Sequence, residues 1–284
     1  MAKTILGIDI GYDSLKLAVV NGKQVRRTAV GPMPQNLIRE GRVVSTETMG
    51  ELIRRTMKEH GIRSGRAALV LPNETVFIRS VTMPLMAVAA PKSLLEESKE
   101  TMHRAGLKLV KAAPSVCAFQ NLIRATTPKG EENTQEYCIL DLGYQAIRMY
   151  MFRGDRHMVT RVLEIGMSSL DQVISEAYSV DIHLAHTYLL SNYEDCQSKE
   201  YCMNAYGTIT VELMRALNFY RFSNPDSHLE DIWVCGGGAC IKPLQESIAE
   251  TLDLRIHTAS ELMPGGAAVE EDYALLQAIG IALE

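Results

Sequence analysis

Two apolar runs in this chain end in the same way, and that repetition constrains the fold more than any other feature. Residues 5–10 lead into Asp9-Ile10-Gly11, and residues 137–142 lead into Asp141-Leu142-Gly143, the second Asp-x-Gly following the first by 132 positions. A further apolar run follows each, residues 15–20 and residues 147–152, and each of these ends in a turn dipeptide, Asn21-Gly22 or Gly154-Asp155. Short apolar runs bounded by Gly, Asn and Asp read as buried strands joined by tight hairpins. A chain that writes this pattern twice is expected to build two similar α/β halves. Its 284 residues agree, being too many for one ordinary small core.

The intervening sequence fits that plan. Residues 46–60 carry Met49, Leu52, Ile53 and Met57 at helical spacing, with Gly61 placed to cap the helix, and residues 67–71 follow as a buried strand. Residues 74–83 alternate and stop at Pro84. A helix is expected from Ala90-Pro91 to Ala105, ending at Gly106, then a short strand over 107–111 and another helix from Pro114. The most polar, breaker-rich stretch is 126–133, the expected boundary between the halves. Beyond the second hairpin, residues 168–222 are mostly helical by spacing. Residues 232–235 form a strand running into Gly236-Gly237-Gly238, and a helix over 270–283 closes the chain.

Composition excludes several functions. Hydrophobic residues make up 46% and charged residues 22%, so the chain can bury a core. The net charge of −5, without a long Lys/Arg cluster, argues against a nucleic-acid partner. The six cysteines form no Cys-x-x-Cys pair and read as reduced packing residues of a cytosolic protein. His183 and His186 lack further ligands at a recognisable spacing and are read as structural. The apolar start is broken by Asp9, which fits neither a signal peptide nor a membrane span, so membrane association is expected to be indirect.

Four motifs carry candidate chemistry. In the first, Gly11 lets backbone approach an anion, Asp9 is suited to hold Mg²⁺ through water, and Asp13, Ser14 and Lys16 add a carboxylate, a hydroxyl and a cation. Alone, such a turn is equally what any tight hairpin carries. Asp141 and Gly143 repeat the carboxylate and the glycine. Gly236, Gly237 and Gly238 lie between a strand and a helix, where backbone can pack on a flat ring or receive a phosphate. Glu212 and Arg215, three apart on one helical face, fit either a surface ion pair or a ligand contact.

In this order the motifs resemble the actin/Hsp70-type fold, a ribonuclease H-like, duplicated, two-lobed α/β nucleotide-binding architecture. More closely, the sequence resembles the PilM family of type IV pilus assembly proteins, bacterial actin-like proteins related to FtsA. The likeness lies in Leu6-Gly7-Ile8-Asp9-Ile10-Gly11 with Ser14-Leu15-Lys16, in Gly61 through Pro72, in Ala105-Gly106-Leu107-Lys108, in Ile165-Gly166, in Glu212 through Tyr220 and in Gly236-Gly237-Gly238-Ala239. The resemblance implies a lobe I core (IA) over 1–75, a shortened inserted subdomain (1C) over 76–112, and a return helix with linker over 113–132. It implies a lobe II core (IIA) over 133–167 and 230–265, a helical subdomain (IIB) over 168–229, and a last helix over 266–284 returning to lobe I.

By the same resemblance, ATP and Mg²⁺ are bound by Asp9, Gly11, Asp13, Ser14 and Lys16, with Asp141 and Gly143 closing over the phosphates. Asp9 and Asp141 reach the metal through water. Glu212 and Arg215 contact ribose and adenine, and Gly236, Gly237 and Gly238 lie beneath the nucleoside. The family implies a cytoplasmic scaffold, peripheral at the inner membrane, that holds the N-terminal cytoplasmic tail of a PilN-like protein. Pilus motor ATPases are further expected partners, and self-association is a further expected property.

Three departures temper this. Ala113 stands where relatives often keep a Glu or Gln that orients water. Tyr144, Gln145, Ala146 and Ile147 replace the hydroxyl residues usual after the second turn. Between Met83-Pro84 and Ala87 the family carries a longer segment completing the 1C subdomain. Nucleotide binding with weak or absent hydrolysis is therefore expected, Asp141 being a catalytic candidate only in principle. The competing readings are an FtsA-like filament protein, disfavoured because no basic amphipathic helix follows residue 280, and a small-molecule kinase of the same superfamily.

Overall fold

A computed structural model of the chain describes residues 4–80, 86–128, 133–264 and 272–283. The junction at Met83-Pro84, the Lys129-Gly130-Glu131-Glu132 stretch of the expected boundary, and the start of the last helix at Glu270 lie outside these residues. The chain divides into two compact units, one comprising Met1–Asn133, Gly154–His157 and Ser260–Glu284, the other Thr134–Arg153 and Met158–Ala259.

The first unit contains, in chain order, strands β1 (Thr4–Ile10), β2 (Ser14–Asn21) and β3 (Gln24–Pro32), the small pair β4 (Ile38–Arg39) and β5 (Arg42–Val43), helix α1 (Thr46–Glu59), β6 (Arg66–Leu71), a second small pair β7 (Phe77–Ser80) and β8 (Met86–Ala89), α2 (Lys92–Arg104), β9 (Lys108–Pro114) and α3 (Ser115–Thr126). Five strands form one sheet in the order β3-β2-β1-β6-β9. The first hairpin pairs antiparallel, and β6 and β9 continue parallel to β1. Antiparallel pairing needs only a tight turn, whereas each parallel step needs a crossover, which α1 and α2 supply. The side of β1 that carries Leu6 and Ile8 is fully buried and joins Leu15, Leu17, Met49 and Ile53 in one cluster. Each such side chain contributes about 1.5–3 kcal/mol. Ser45 caps α1 by accepting from the Thr48 N–H at 3.2 Å.

The second unit repeats the plan with β10 (Glu136–Leu142), β11 (Ile147–Arg153), β12 (Arg156–Leu163), α4 (Ser168–Tyr178), α5 (Ile182–Ser191), α6 (Glu200–Ser223), β13 (Asp231–Cys235), α7 (Lys242–Leu252) and β14 (Arg255–Thr258). Its sheet has the order β12-β11-β10-β13-β14, with β13 and β14 parallel to β10. Strand by strand this is the first sheet again. The three helices α4, α5 and α6 occupy the crossover that α1 alone makes in the first unit. The last helix, α8 (Asp272–Ala282), belongs to the first unit. There Ser115 donates to Gln277 at 2.5 Å, Asn121 to the Gly280 carbonyl at 2.9 Å and Lys111 to the Leu283 carbonyl at 3.1 Å.

Two expectations need correction. The alternating strand expected over 74–83 does not begin at Glu74, because a short turn of helix at Asn73–Thr75, fixed by the Thr75 N–H on the Pro72 carbonyl, precedes β7; residues 81–83 lie outside the described residues. The strand expected over 107–111 extends through Ala113 to Pro114, since β6 offers pairing partners up to Leu71.

Candidate functional site

The first Asp-x-Gly turn is held by few bonds. The Gly11 N–H donates to the Ser14 carbonyl at 3.0 Å, and the Met33 N–H donates to the Asp13 carbonyl at 2.9 Å, anchoring the turn to the end of β3. Register places Asp9 directly opposite Lys16 across the hairpin. The Lys16 ammonium lies 3.6 Å from the Asp9 carboxylate, a separation that leaves both groups able to take another partner. A Cβ on Gly11 would sit 2.5 Å from Lys16 Nζ, so glycine at this position makes room for the ammonium. Tyr12 turns away and accepts the Gly41 N–H at 2.7 Å.

The second turn carries the same set. Asp141 lies opposite Arg148, and a Cβ on Gly143 would sit 2.6 Å from the Ala146 carbonyl and 3.5 Å from Arg148 Nη1. Motif spacing alone marks a carboxylate and a glycine in this turn. Its basic residue is Arg148, seven positions after Asp141, as Lys16 is seven after Asp9. That equal spacing was the available signal.

The turns differ in their surroundings. Met167 and Ser168, at the start of α4, donate their N–H groups to the carbonyls of Gly143 (3.1 Å) and Tyr144 (2.9 Å), and Ile147 donates to Ile165 at 2.9 Å. Asp171, on the same helix, is fully buried and receives His186 Nδ1 of α5 at 2.9 Å. The Tyr144 ring meets His186 edge-on at 5.7 Å. A fully buried carboxylate needs such a partner, so His186 has a structural role here and also borders the candidate turn. Sequence spacing gave no sign of this pair, because it joins two helices.

The triple glycine is brought to the second turn by the pairing of β13 with β10, which sets Cys235 beside Asp141. Gly236 has φ of 87°, a left-handed value, and a Cβ there would lie 2.5 Å from Asp141 Oδ1. A Cβ on Gly238 would collide with Met167 Sδ. Gly237 faces open space. Packing therefore demands two of the three glycines, and Gly237 is the one left for a ligand to approach.

Glu212 and Arg215 form an ion pair with each other on α6 and are 42% and 69% exposed. Ala113, in β9, lies opposite Val70. The donor set suits a hydrated Mg²⁺ and phosphates, since each turn combines a carboxylate, a cation and a glycine that leaves room beside the cation. All six cysteines are free, no group of three or more metal-binding side chains occurs among the described residues, and none of the described helices is long and apolar enough to cross a membrane.

Comparison with known proteins bears on these observations. The family described as "Type IV pilus assembly protein PilM" matches residues 7–86 and 82–283, two segments that overlap at 82–86. No curated protein sequence matches the chain. Among solved structures, the PilM-PilN type IV pilus biogenesis complex superposes with a TM-score of 0.84 at 19% identity, covering 99% of this chain and 98% of that one. The ethanolamine utilization protein EutJ from Carboxydothermus hydrogenoformans gives 0.73 at 17% identity, covering 100% and 90%. MreB 5 of Spiroplasma citri, bound to AMPPNP, gives 0.62 at 14% identity, covering 99% and 95%. At these identities the structures establish the fold, which is actin-like.

Proposed function

The chain belongs to the type IV pilus assembly protein PilM family, and from that premise we propose that it is an ATP-binding scaffold of the pilus inner-membrane assembly complex. The observation that carries the nucleotide reading is the duplicated turn: Asp9, Gly11 and Lys16 in one unit, Asp141, Gly143 and Arg148 in the other, in the same register. Ser14 joins Gly11 and Lys16 on the phosphates, with Asp13 beside them, and Arg148 adds a second cation. Asp9 and Asp141 hold Mg²⁺ through water. The Gly236-Gly237-Gly238 loop backs the nucleoside, with Gly237 open to it and Gly236 and Gly238 packing the loop beneath, and Glu212 and Arg215 reach its ribose and adenine once their mutual ion pair opens. The AMPPNP carried by the MreB 5 relative supports a nucleotide in this fold.

Hydrolysis is weak or absent in this reading. Ala113 cannot orient a water molecule, and after Gly143 the chain presents Tyr144 and Ala146, with Tyr144 engaged by His186. The principal partner is the N-terminal cytoplasmic tail of a PilN-like membrane protein, in keeping with the PilM-PilN complex among the structural relatives. The protein then works in the cytoplasm at the inner-membrane face, with pilus motor ATPases and a second copy of itself as further partners.

The test is fluorescence anisotropy of a labelled PilN-type N-terminal peptide titrated with the protein, with and without ATP and Mg²⁺. Saturable binding that responds to nucleotide is expected. Absence of binding in both conditions would remove the PilN assignment.

A further inference from the structure

Residues 176–203 hold five carboxylates (Glu176, Asp181, Glu194, Asp195 and Glu200) against Lys199 alone, and they hold four tyrosines. The fold gathers those tyrosines where α4, α5 and α6 meet. Tyr188 stacks on Tyr193 at 4.2 Å, and Tyr178 meets the rings of Tyr188, Tyr193 and Tyr201 edge-on at 5.3, 5.9 and 6.4 Å. Apolar groups are exposed on the same elements: Leu190 is 53% exposed, Met203 45% and Tyr193 42%.

The backbone that displays Tyr193 is strained. Asn192, Glu194 and Asp195 take left-handed φ values of 50°, 48° and 58°, a conformation that side-chain-bearing residues rarely adopt. A hydrogen-bond network running from Asn192 into the core maintains it. Asn192 Oδ1 accepts the Gln197 N–H at 3.0 Å, Gln197 donates to the Leu189 carbonyl at 2.8 Å, and Tyr206 donates to the Gln197 carbonyl at 3.1 Å. A core that maintains strain in order to present an aromatic ring at the surface points to a use for that ring.

We propose that this end of the second unit is a docking surface for a basic segment of another protein, one whose Lys or Arg side chains alternate with apolar ones. Charge complementarity selects that occupant. The Tyr193 ring, edged by the Glu194 carboxylate and followed by exposed Asp195, attracts guanidinium and ammonium groups, the exposed Leu190 and Met203 accept apolar neighbours, and negative charge beside the ring repels anionic lipid and acidic peptides. The Glu194 carboxylate lies against Tyr193 and holds that phenol above its ordinary range, by its charge first and by a hydrogen bond second.

The full-length protein is titrated into a fluorescein-labelled Arg/Leu peptide, with an Asp/Leu peptide of equal length as the control. Wild type is expected to bind the basic peptide and ignore the acidic one. Tyr193→Ala and Glu194→Lys are each expected to weaken binding roughly tenfold, with circular dichroism melts confirming that both variants fold. Glu194→Gly, which relieves strain and loosens Tyr193, is expected to weaken binding without lowering the melting temperature. Equal binding of both peptides, unchanged binding by Tyr193→Ala, or binding only to anionic vesicles would each overturn the proposal. Concentration-dependent self-association abolished by Tyr193→Ala would also overturn it, making the occupant a second copy of this chain.

Discussion

The turn after β1 and the turn after β10 carry a carboxylate, a glycine and a cation in the same register, with Ser14 answered by Ala146, yet they are restrained differently. The first is closed by its own Gly11 to Ser14 bond and one tie to Met33, and it leaves Asp9 and Lys16 3.6 Å apart and partly exposed. The second is fastened to α4 through Met167 and Ser168, presses Asp141 against Gly236, and adds Tyr144 against His186. The difference lies in the crossovers. Where the first unit uses one helix between β3 and β6, the second inserts three, and their packing fills the space beside its turn. One repeat thus keeps freedom to receive a ligand, while the other fixes geometry around a nearly buried carboxylate.

Substitutions can break this contrast. His186→Ala has the largest expected effect, since it leaves Asp171 buried without its imidazole partner; about 3 kcal/mol of stability should be lost, measurable by urea unfolding. His186→Gln, which keeps a donor, should recover part of it. Gly143→Ala comes next. Its Cβ would meet the Ala146 backbone carbonyl at 2.6 Å, so backbone must shift, and about 2–3 kcal/mol is expected to be lost. Gly11→Ala should cost less, about 1 kcal/mol, because its Cβ meets the mobile end of Lys16 and stands 3.0 Å from the Ser14 carbonyl, where the Gly143 counterpart is at 2.6 Å. Equal costs at the two glycines would show that the turns are restrained alike.

The smallest expected effect is acid sensitivity, which also separates the units. In the second unit, Arg255 holds the Asp231 carboxyl below its usual range, with His257 assisting against partial burial. Burial alone would raise Glu136, but Arg153, Ser227 and the His228 N–H together hold it low. A carboxylate whose folded pKa is depressed contributes stability that is fully present above its unfolded pKa of about 4 and is lost as pH falls through the folded value. Thermal midpoints should therefore be steady above pH of about 5 and fall below about 4. Asp231→Asn should flatten that fall and lower the neutral-pH midpoint.

Much of this fold was legible from one pattern, because strand, turn and hairpin signals are local and the chain states them twice. The register that opposes Asp9 to Lys16 also fixes Asp141 opposite Arg148. The spacing of seven was visible in the sequence, but recognising its meaning required knowing the length of each turn. The triple glycine was legible as a site of close approach, though not the division of labour in which Gly236 and Gly238 serve packing and Gly237 stays open. Asp171 with His186, and the strained display of Tyr193, arise from helices meeting in space. No periodicity records such contacts.

If the paired turns hold ATP, the Asp9 carboxylate is needed for binding. Isothermal titration with ATP and Mg²⁺ on wild type and on Asp9→Ala tests it most directly. Saturable binding in wild type that is lost in Asp9→Ala is predicted, and no binding in wild type, or equal binding in both proteins, would contradict it.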